Sequence, residues 1–213
     1  AFAFNNCYRI ERLFIPALVE DISYGAIIDC TQMKAVYVDY YNDNYKSDEG
    51  VLFDKSQETL ISYPAAKSGQ YSIPSSVKYI SPYAFFNSNL KSVNIPNGVL
   101  QIGEYAFENS KVETITIGLG VTQLPRGMLK NCKNLETINL GSGVAHIGDE
   151  FALGANNLRN IEFNENIKTI GEKAFYGLSR LNTVQLPEEL QSIGDQALAA
   201  CYGMTRFIMP KVL

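Results

Sequence analysis

The sequence predicts an α/β-type repeat fold. The expected form is a right-handed solenoid of about nine stacked coils, with a parallel strand ladder on the concave side and short helical or irregular segments on the convex side. Three observations predict it. Segments beginning at Leu90, Val112, Leu135, Leu158, Leu181 and Met204 superpose with spacings of 22, 23, 23, 23 and 23 residues, the fixed period of a stacked repeat. Within each segment apolar and polar residues alternate, as they do along a strand with one buried face. A second apolar set then follows in unchanging register.

The elements follow from that register. Three residues after each start stand Val93, Ile115, Ile138, Ile161, Val184 and Phe207, and two further on stand Ile95, Ile117, Leu140, Phe163, Leu186 and Met209. These give one short strand per coil. Pro74, Pro96 and Pro187 end strands without leaving a donor unpaired, because proline has no N–H to bury. The second apolar set, with Val99, Val121, Val144, Ile167 and Leu190 followed by Ile102, Leu124, Ile147, Ile170 and Ile193, turns the chain back and closes each core. Gly103, Gly148, Gly171 and Gly194 come next and are read as permitting a sharp bend. Ala84-Phe85, Ala106-Phe107 and Ala174-Phe175 then fill the convex side. Leu124-Pro125, Met128-Leu129 and the reversed pair Phe151-Ala152 depart from this pattern, so the convex side is expected to be irregular there.

Extended backward, the register finds one coil in Ile10, Leu13, Ile15, Pro16, Val19 and Ile22, and the start of another in Met33, Val36 and Val38. Tyr71, Ile73, Val77 and Ile80 supply the coil before Leu90. The whole of 1–213 therefore reads as a single solenoid domain with an irregular insertion coil at about 39–67. It opens inside a coil at Ala3-Phe4 and closes after a strand at Met209-Pro210. Neither end shows the polar cap that a terminal coil needs, so the expectation is a piece of a longer protein.

Eighteen Lys and Arg against 22 Asp and Glu give a net charge of −4. So mild and mixed a balance offers no attraction to phosphate, and nucleic acid is not an expected partner. No apolar run approaches the roughly 18 residues of a membrane span, and no leader-like segment opens the chain. The expectation is no membrane insertion by this segment.

Candidate chemistry is sparse. Cys7, Cys30, Cys132 and Cys201 share one phase of the repeat, a slot taken elsewhere by Ser88, Ser110, Ala155 and Leu178, so they read as buried free thiols. Cys7 and Cys30 alone lie on adjacent coils, within bridging range. The single histidine, His146, occupies a column shared with Gln101, Gln123, Thr169 and Ser192 and reads as a surface residue. No hydrolase, zinc or phosphate-loop motif is present. Glu113 and Glu136 read as solvated charges, and the acidic stretch from Asn42 to Gly50 lacks calcium-loop spacing and reads as an inserted loop. No catalytic residue, metal ligand or cofactor is expected.

The strings Ile95-Pro96, Val99, Ile102-Gly103 and Ala106-Phe107, with Cys132 and Leu135, resemble the BspA-like leucine-rich repeats, and the resemblance covers almost the whole chain. Gly50, Val51, Leu52, Phe53, Asp54 and Lys55, followed by Leu60 to Pro64, resemble the irregular hairpin coil of that family. The resemblance implies a bacterial cell-surface or secreted protein, several relatives being associated with adhesion, and implies no activity.

The outward strand positions form two rows. Arg12, Ala35, Gln70, Ser92, Thr114, Thr137, Asn160, Thr183 and Arg206 make one; Phe14, Tyr37, Ser72, Asn94, Thr116, Asn139, Glu162, Gln185 and Ile208 make the other. The middle is a Ser/Thr/Asn surface that suits strands and solubility. The N-terminal end differs, with Phe14 and Tyr37 on adjacent strands beside an insertion carrying Tyr40, Tyr41 and Tyr45, and Arg12 alongside. These residues are the candidate ligand site, since exposed aromatic clusters mark binding surfaces. The competing reading is that the rings pack the insertion onto the solenoid. Three functions stay open: adhesion through a host or bacterial surface or matrix protein, glycan binding, or a passive spacer.

Overall fold

A computed structural model describes residues 3–67 and 69–211. It is a β-solenoid of about nine turns. The strands expected from the first apolar set pair in parallel, with Arg12–Ile15 beside Ala35–Val38, then Ser92–Asn94, Thr114–Thr116 and Thr137–Asn139 in order, then Thr183–Gln185 beside Arg206–Ile208. The registers are those of the sequence rows: Phe14 faces Tyr37, Ser92 faces Thr114, and Thr116 faces Asn139. The coil at Asn160 contributes one bridge, to Thr183, rather than a strand, and the coil at Tyr71 and Ile73 forms no strand, so this ladder is interrupted between Ala35–Val38 and Ser92–Asn94.

The second apolar set does more than turn the chain back. It forms a second ladder of two-residue strands, with Tyr79–Ile80 and Gln101–Ile102 beside the four-residue Thr59–Ser62 in one sheet and Gln123–Leu124, His146–Ile147, Thr169–Ile170 and Ser192–Ile193 in another. Each two-residue strand points one polar residue out and one apolar residue in. His146 stands in this row, exposed, with Nδ1 3.0 Å from Thr169 Oγ1.

The α/β-type expectation is corrected on the remaining side, because no helix forms among the described residues. Each turn there carries two residues of left-handed φ, four apart: Tyr83 and Asn87, Tyr105 and Asn109, Gly127 and Asn131, Glu150 and Gly154, Lys173 and Gly177, Gln196 and Ala200. A helix needs an unbroken right-handed run, and this alternation forbids one. It instead aims alternate N–H groups at the next coil, so that Tyr83, Phe85 and Asn87 donate to the carbonyls of Glu104, Ala106 and Glu108. The left-handed cost for a non-glycine residue, about 1–2 kcal/mol, is offset in part by these inter-coil hydrogen bonds, each contributing about 1 kcal/mol.

The glycine column has a different cause from the expected bend. Gly103, Gly148, Gly171 and Gly194 have ordinary φ, absent from the left-handed set. A Cβ on Gly148 would stand 2.8 Å from Arg126 N, and one on Gly171 2.5 Å from Asp149 N, so these positions are glycine because the preceding coil's backbone fills the space.

Phe85 and Phe107 stack at 4.5 Å and 5°, whereas Phe151 and Phe175 meet edge to face at 5.8 Å and 77°. The irregularity expected at Met128-Leu129 and Phe151-Ala152 is thus confined to ring geometry, since Phe107 N, Leu129 N and Ala152 N still donate to Met128 O, Phe151 O and Ala174 O. All four cysteines are free. Their shared slot is a bonding position: Cys30, Cys132 and Cys201 donate Sγ–H to the carbonyls of Phe4, Phe107 and Phe175 at 3.2, 3.0 and 3.3 Å. Burial pushes the Cys132 thiol up to about 12.

The core falls into two clusters. One runs from Val51 to Ala197; the other, around Ile15, Cys30, Met33, Val36, Tyr45 and Leu52, belongs to the first coils and the hairpin. No helix is long and apolar enough to cross a membrane among the residues described.

Candidate functional site

The insertion after Ala35–Val38 is built around one buried amide. Asn42 is fully buried, and its Nδ2 donates to Pro16 O at 2.9 Å and Val19 O at 3.0 Å, tying the insertion to the preceding coil. Its Oδ1 accepts from the backbone N–H groups of Asn44 at 2.9 Å and Tyr45 at 2.8 Å. Its own carbonyl accepts from Lys55 Nζ, which also reaches Tyr40 O at 3.4 Å. Asp39 Oδ1 takes the Tyr41 N–H at 2.9 Å. Every polar atom of the Asn42 side chain is thereby used, and the chain either side of it is fixed.

Tyr45 leads into the hairpin of Tyr45–Asp48 and Val51–Asp54, antiparallel, with Val51–Asp54 pairing in turn with Thr59–Ser62. This hairpin covers the far edge of Ala35–Val38. Val36 N–H donates to Gly50 O at 2.8 Å, and Val38 N–H to Ser47 Oγ at 3.2 Å. Gly50 is required at that contact, with φ +79° and a would-be Cβ only 2.8 Å from Ala35 Cβ.

The predicted site residues divide on this frame. Tyr45 is the correction: it is 9 % exposed and packs in the N-terminal core, its hydroxyl accepting from Ile22 N–H at 2.8 Å and lying 3.4 Å from Glu20 O. For this ring the packing reading holds, because an apolar ring one turn from Asn42 has a coil to rest on and its hydroxyl satisfies an otherwise unpaired amide. The others stand out: Tyr40 is 86 % exposed, Tyr41 79 %, Phe14 59 % and Tyr37 46 %. Phe14 and Tyr37 are register partners on adjacent strands, Arg12 is exposed on the same face, and Tyr40 and Tyr41 meet edge to face at 5.3 Å. Sequence reasoning missed Asn42, Asp39 and Lys55, the residues that hold the loop. The signal was present in the 26- and 23-residue separations of Asn42 from Pro16 and Val19, one coil each, but polar residues in an acidic string read as solvated.

Parallel ladders, a period of 22–23 residues and an apolar column at every inward position define a leucine-rich-repeat solenoid. The chain belongs to the BspA type leucine-rich repeat region family, whose repeat matches residues 1–64, 61–156 and 149–213 in six copies. Its fold is similar to that of a leucine-rich repeat protein from Eubacterium ventriosum, with 24 % identity and TM-score 0.77 over 95 % of this chain and 61 % of that one. It is similar to a leucine-rich cell surface protein from Faecalibacterium prausnitzii, with 25 % identity and TM-score 0.67 over 93 % and 48 %. It is also similar to the pneumococcal vaccine antigen PcpA, with 23 % identity and TM-score 0.76 over 95 % and 56 %. The chain therefore spans less than two thirds of each of these. No curated protein matches it in sequence.

Proposed function

We propose that this chain is a non-enzymatic binding segment of a bacterial cell-surface or secreted protein, and that it engages a protein partner through Phe14, Tyr37, Tyr40 and Tyr41 with Arg12 at the rim. The observation that carries this reading is the division of labour in the insertion. Asn42, Lys55 and Tyr45 fix the backbone of the loop, so Tyr40 and Tyr41 stand on a held segment with their rings largely in water. A fixed backbone lowers the ordering cost of binding, and aromatic residues with arginine dominate the energetics of protein interfaces. The strand rows that bear Phe14 and Tyr37 belong, in a right-handed coil, to the concave side. Surface location is supported by the family and by the Faecalibacterium cell surface protein and the pneumococcal antigen that share the fold.

The test is binding of the wild-type chain and a Phe14→Ala, Tyr37→Ala, Tyr41→Ala variant to paired arrays of extracellular-matrix proteins and glycans. The reading expects a protein signal that the variant loses. A signal on glycans alone assigns the aromatic end to sugars, and silence from folded wild type favours a spacer.

A further inference from the structure

A groove of about 770 Å³ lies against the second ladder, on a side where the sequence pattern marks no site. That volume is within the ~300–1,000 Å³ of small-ligand sites. Two exposed tyrosines, Tyr24 and Tyr79, line it together with Gln101, Thr122 and Gln123. Thr59, Tyr79 and Gln101 are register partners on three successive strands, so their side chains stand in a row at roughly 4.8 Å intervals. Ser81 completes the wall with its hydroxyl buried beneath the surface, and its N–H donates to Leu60 O at 2.9 Å.

The chemistry of the lining narrows the ligand. Tyr79–Ile80 is paired on both edges, with Thr59–Ser62 and with Gln101–Ile102, and Gln123–Leu124 lies directly against the other side of Gln101–Ile102, so an extended peptide finds no room to add a strand. It offers two phenol rings, two carboxamides and the hydroxyls of Thr59 and Thr122. Glu104 is the single charged residue in the lining, so nothing there attracts an anion. Ring faces for apolar C–H surfaces, and amides that both donate and accept for vicinal hydroxyls, suit a sugar chain. We propose that this groove is a second ligand site, separate from the Phe14/Tyr37/Tyr40/Tyr41 cluster, and that it takes a neutral oligosaccharide.

The experiment is a ¹H–¹⁵N NMR titration of the whole chain with maltotetraose, cellotetraose, chitotetraose and mannotetraose, and with sulfated maltotetraose as the charged comparison. Tyr24→Ala, Tyr79→Ala and Gln101→Ala are compared with wild type, and Tyr40→Ala/Tyr41→Ala serves as the control at the other cluster. All replace exposed side chains, and a wild-type-like amide spectrum establishes folding for each. The expected result is that at least one neutral tetrasaccharide shifts resonances of Tyr24, Tyr79, Gln101 and Gln123. Roughly tenfold weaker binding is expected in Tyr24→Ala and Tyr79→Ala, and no change in the Tyr40→Ala/Tyr41→Ala control. The proposal is overturned if no neutral sugar binds at about 10 mM, a concentration that largely fills even a site with Kd of about 1 mM. Tighter binding of the sulfated sugar, or loss of binding in the control but not in Tyr79→Ala, overturns it as well.

Discussion

Replacing Gly171 by alanine places one methyl group between two coils. The backbone at Gly171 has an ordinary φ, so alanine brings no conformational penalty there. Its Cβ would stand 2.5 Å from Asp149 N and 2.6 Å from Asp149 Oδ1 and Gly148 C. Ordinary contact begins near 3.4 Å, so the two coils must part locally by roughly 1 Å. That movement stretches the Gly171 N–H to Ile147 O bond from 2.8 Å to beyond bonding range. It also pulls the Glu172 N–H from Asp149 Oδ1, which it reaches at 2.7 Å. Overpacking at about 1–3 kcal/mol and about 1 kcal/mol for a strained hydrogen bond sum to a loss of about 2–4 kcal/mol. Gly177 is the control, since a Cβ there meets nothing within 4 Å but φ is +75°, and its alanine variant should cost only the left-handed penalty, about 1–2 kcal/mol. Urea unfolding followed by far-ultraviolet circular dichroism measures both. A Gly171→Ala variant within about 0.5 kcal/mol of wild type, or less harmful than Gly177→Ala, refutes the close-approach account of the glycine column.

The same packing sets three further outcomes. Ile138→Asp puts a carboxylate at a position 4 % exposed in the strand Thr137–Asn139; it should destabilise by about 4 kcal/mol or more, and an unchanged melting temperature would contradict the strand register. Glu150 is held below the usual carboxylate range by hydrogen bonds from Lys130 and Arg126, while burial pushes neighbouring Glu108 the other way. A lowered folded-state value contributes stability that is present above the unfolded value and is lost as pH falls through the folded one. Glu150→Gln should therefore cost about 1 kcal/mol near neutrality, the half-exposed Arg126 adding little, and the gap in urea midpoints should close below about pH 4; a gap that widens in acid would reverse the assignment. Cys132, buried and raised to about 12, should resist iodoacetamide at pH 8 until urea unfolds the chain, and rapid alkylation of folded protein would show the slot to be open.

The first ladder was legible because its signal is long: alternation over several residues, repeated at a constant period, fixes both register and inward face. Phe14 opposite Tyr37 and Thr116 opposite Asn139 follow from that alone. The second ladder was not legible, because strands such as Gln101–Ile102 and Thr169–Ile170 are two residues long, too short to display alternation, and appear in the sequence only as an apolar column. The helical option on the third side failed for a related reason. Tyr105, Glu150 and Lys173 are good helix or strand residues by propensity, and it is the inter-coil hydrogen bonds, a tertiary effect, that hold them at positive φ. At the candidate site Phe14 and Tyr37 were readable from strand parity and Tyr40 and Tyr41 from their place in the insertion, whereas the burial of Tyr45 was not. It lies beyond the repeat's regular phase, and its burial depends on where Asn42 anchors the insertion.

The central claim is that the aromatic end at Phe14, Tyr37, Tyr40 and Tyr41 is a built protein-binding surface. Its most direct test is the ratio of dissociation constants of wild type and a Tyr40→Ala/Tyr41→Ala variant for the matrix protein giving the strongest array signal, measured by surface plasmon resonance. The account predicts at least roughly tenfold weaker binding with an unchanged melting temperature, because neither ring packs against the solenoid. Equal affinities in two equally stable proteins would contradict it.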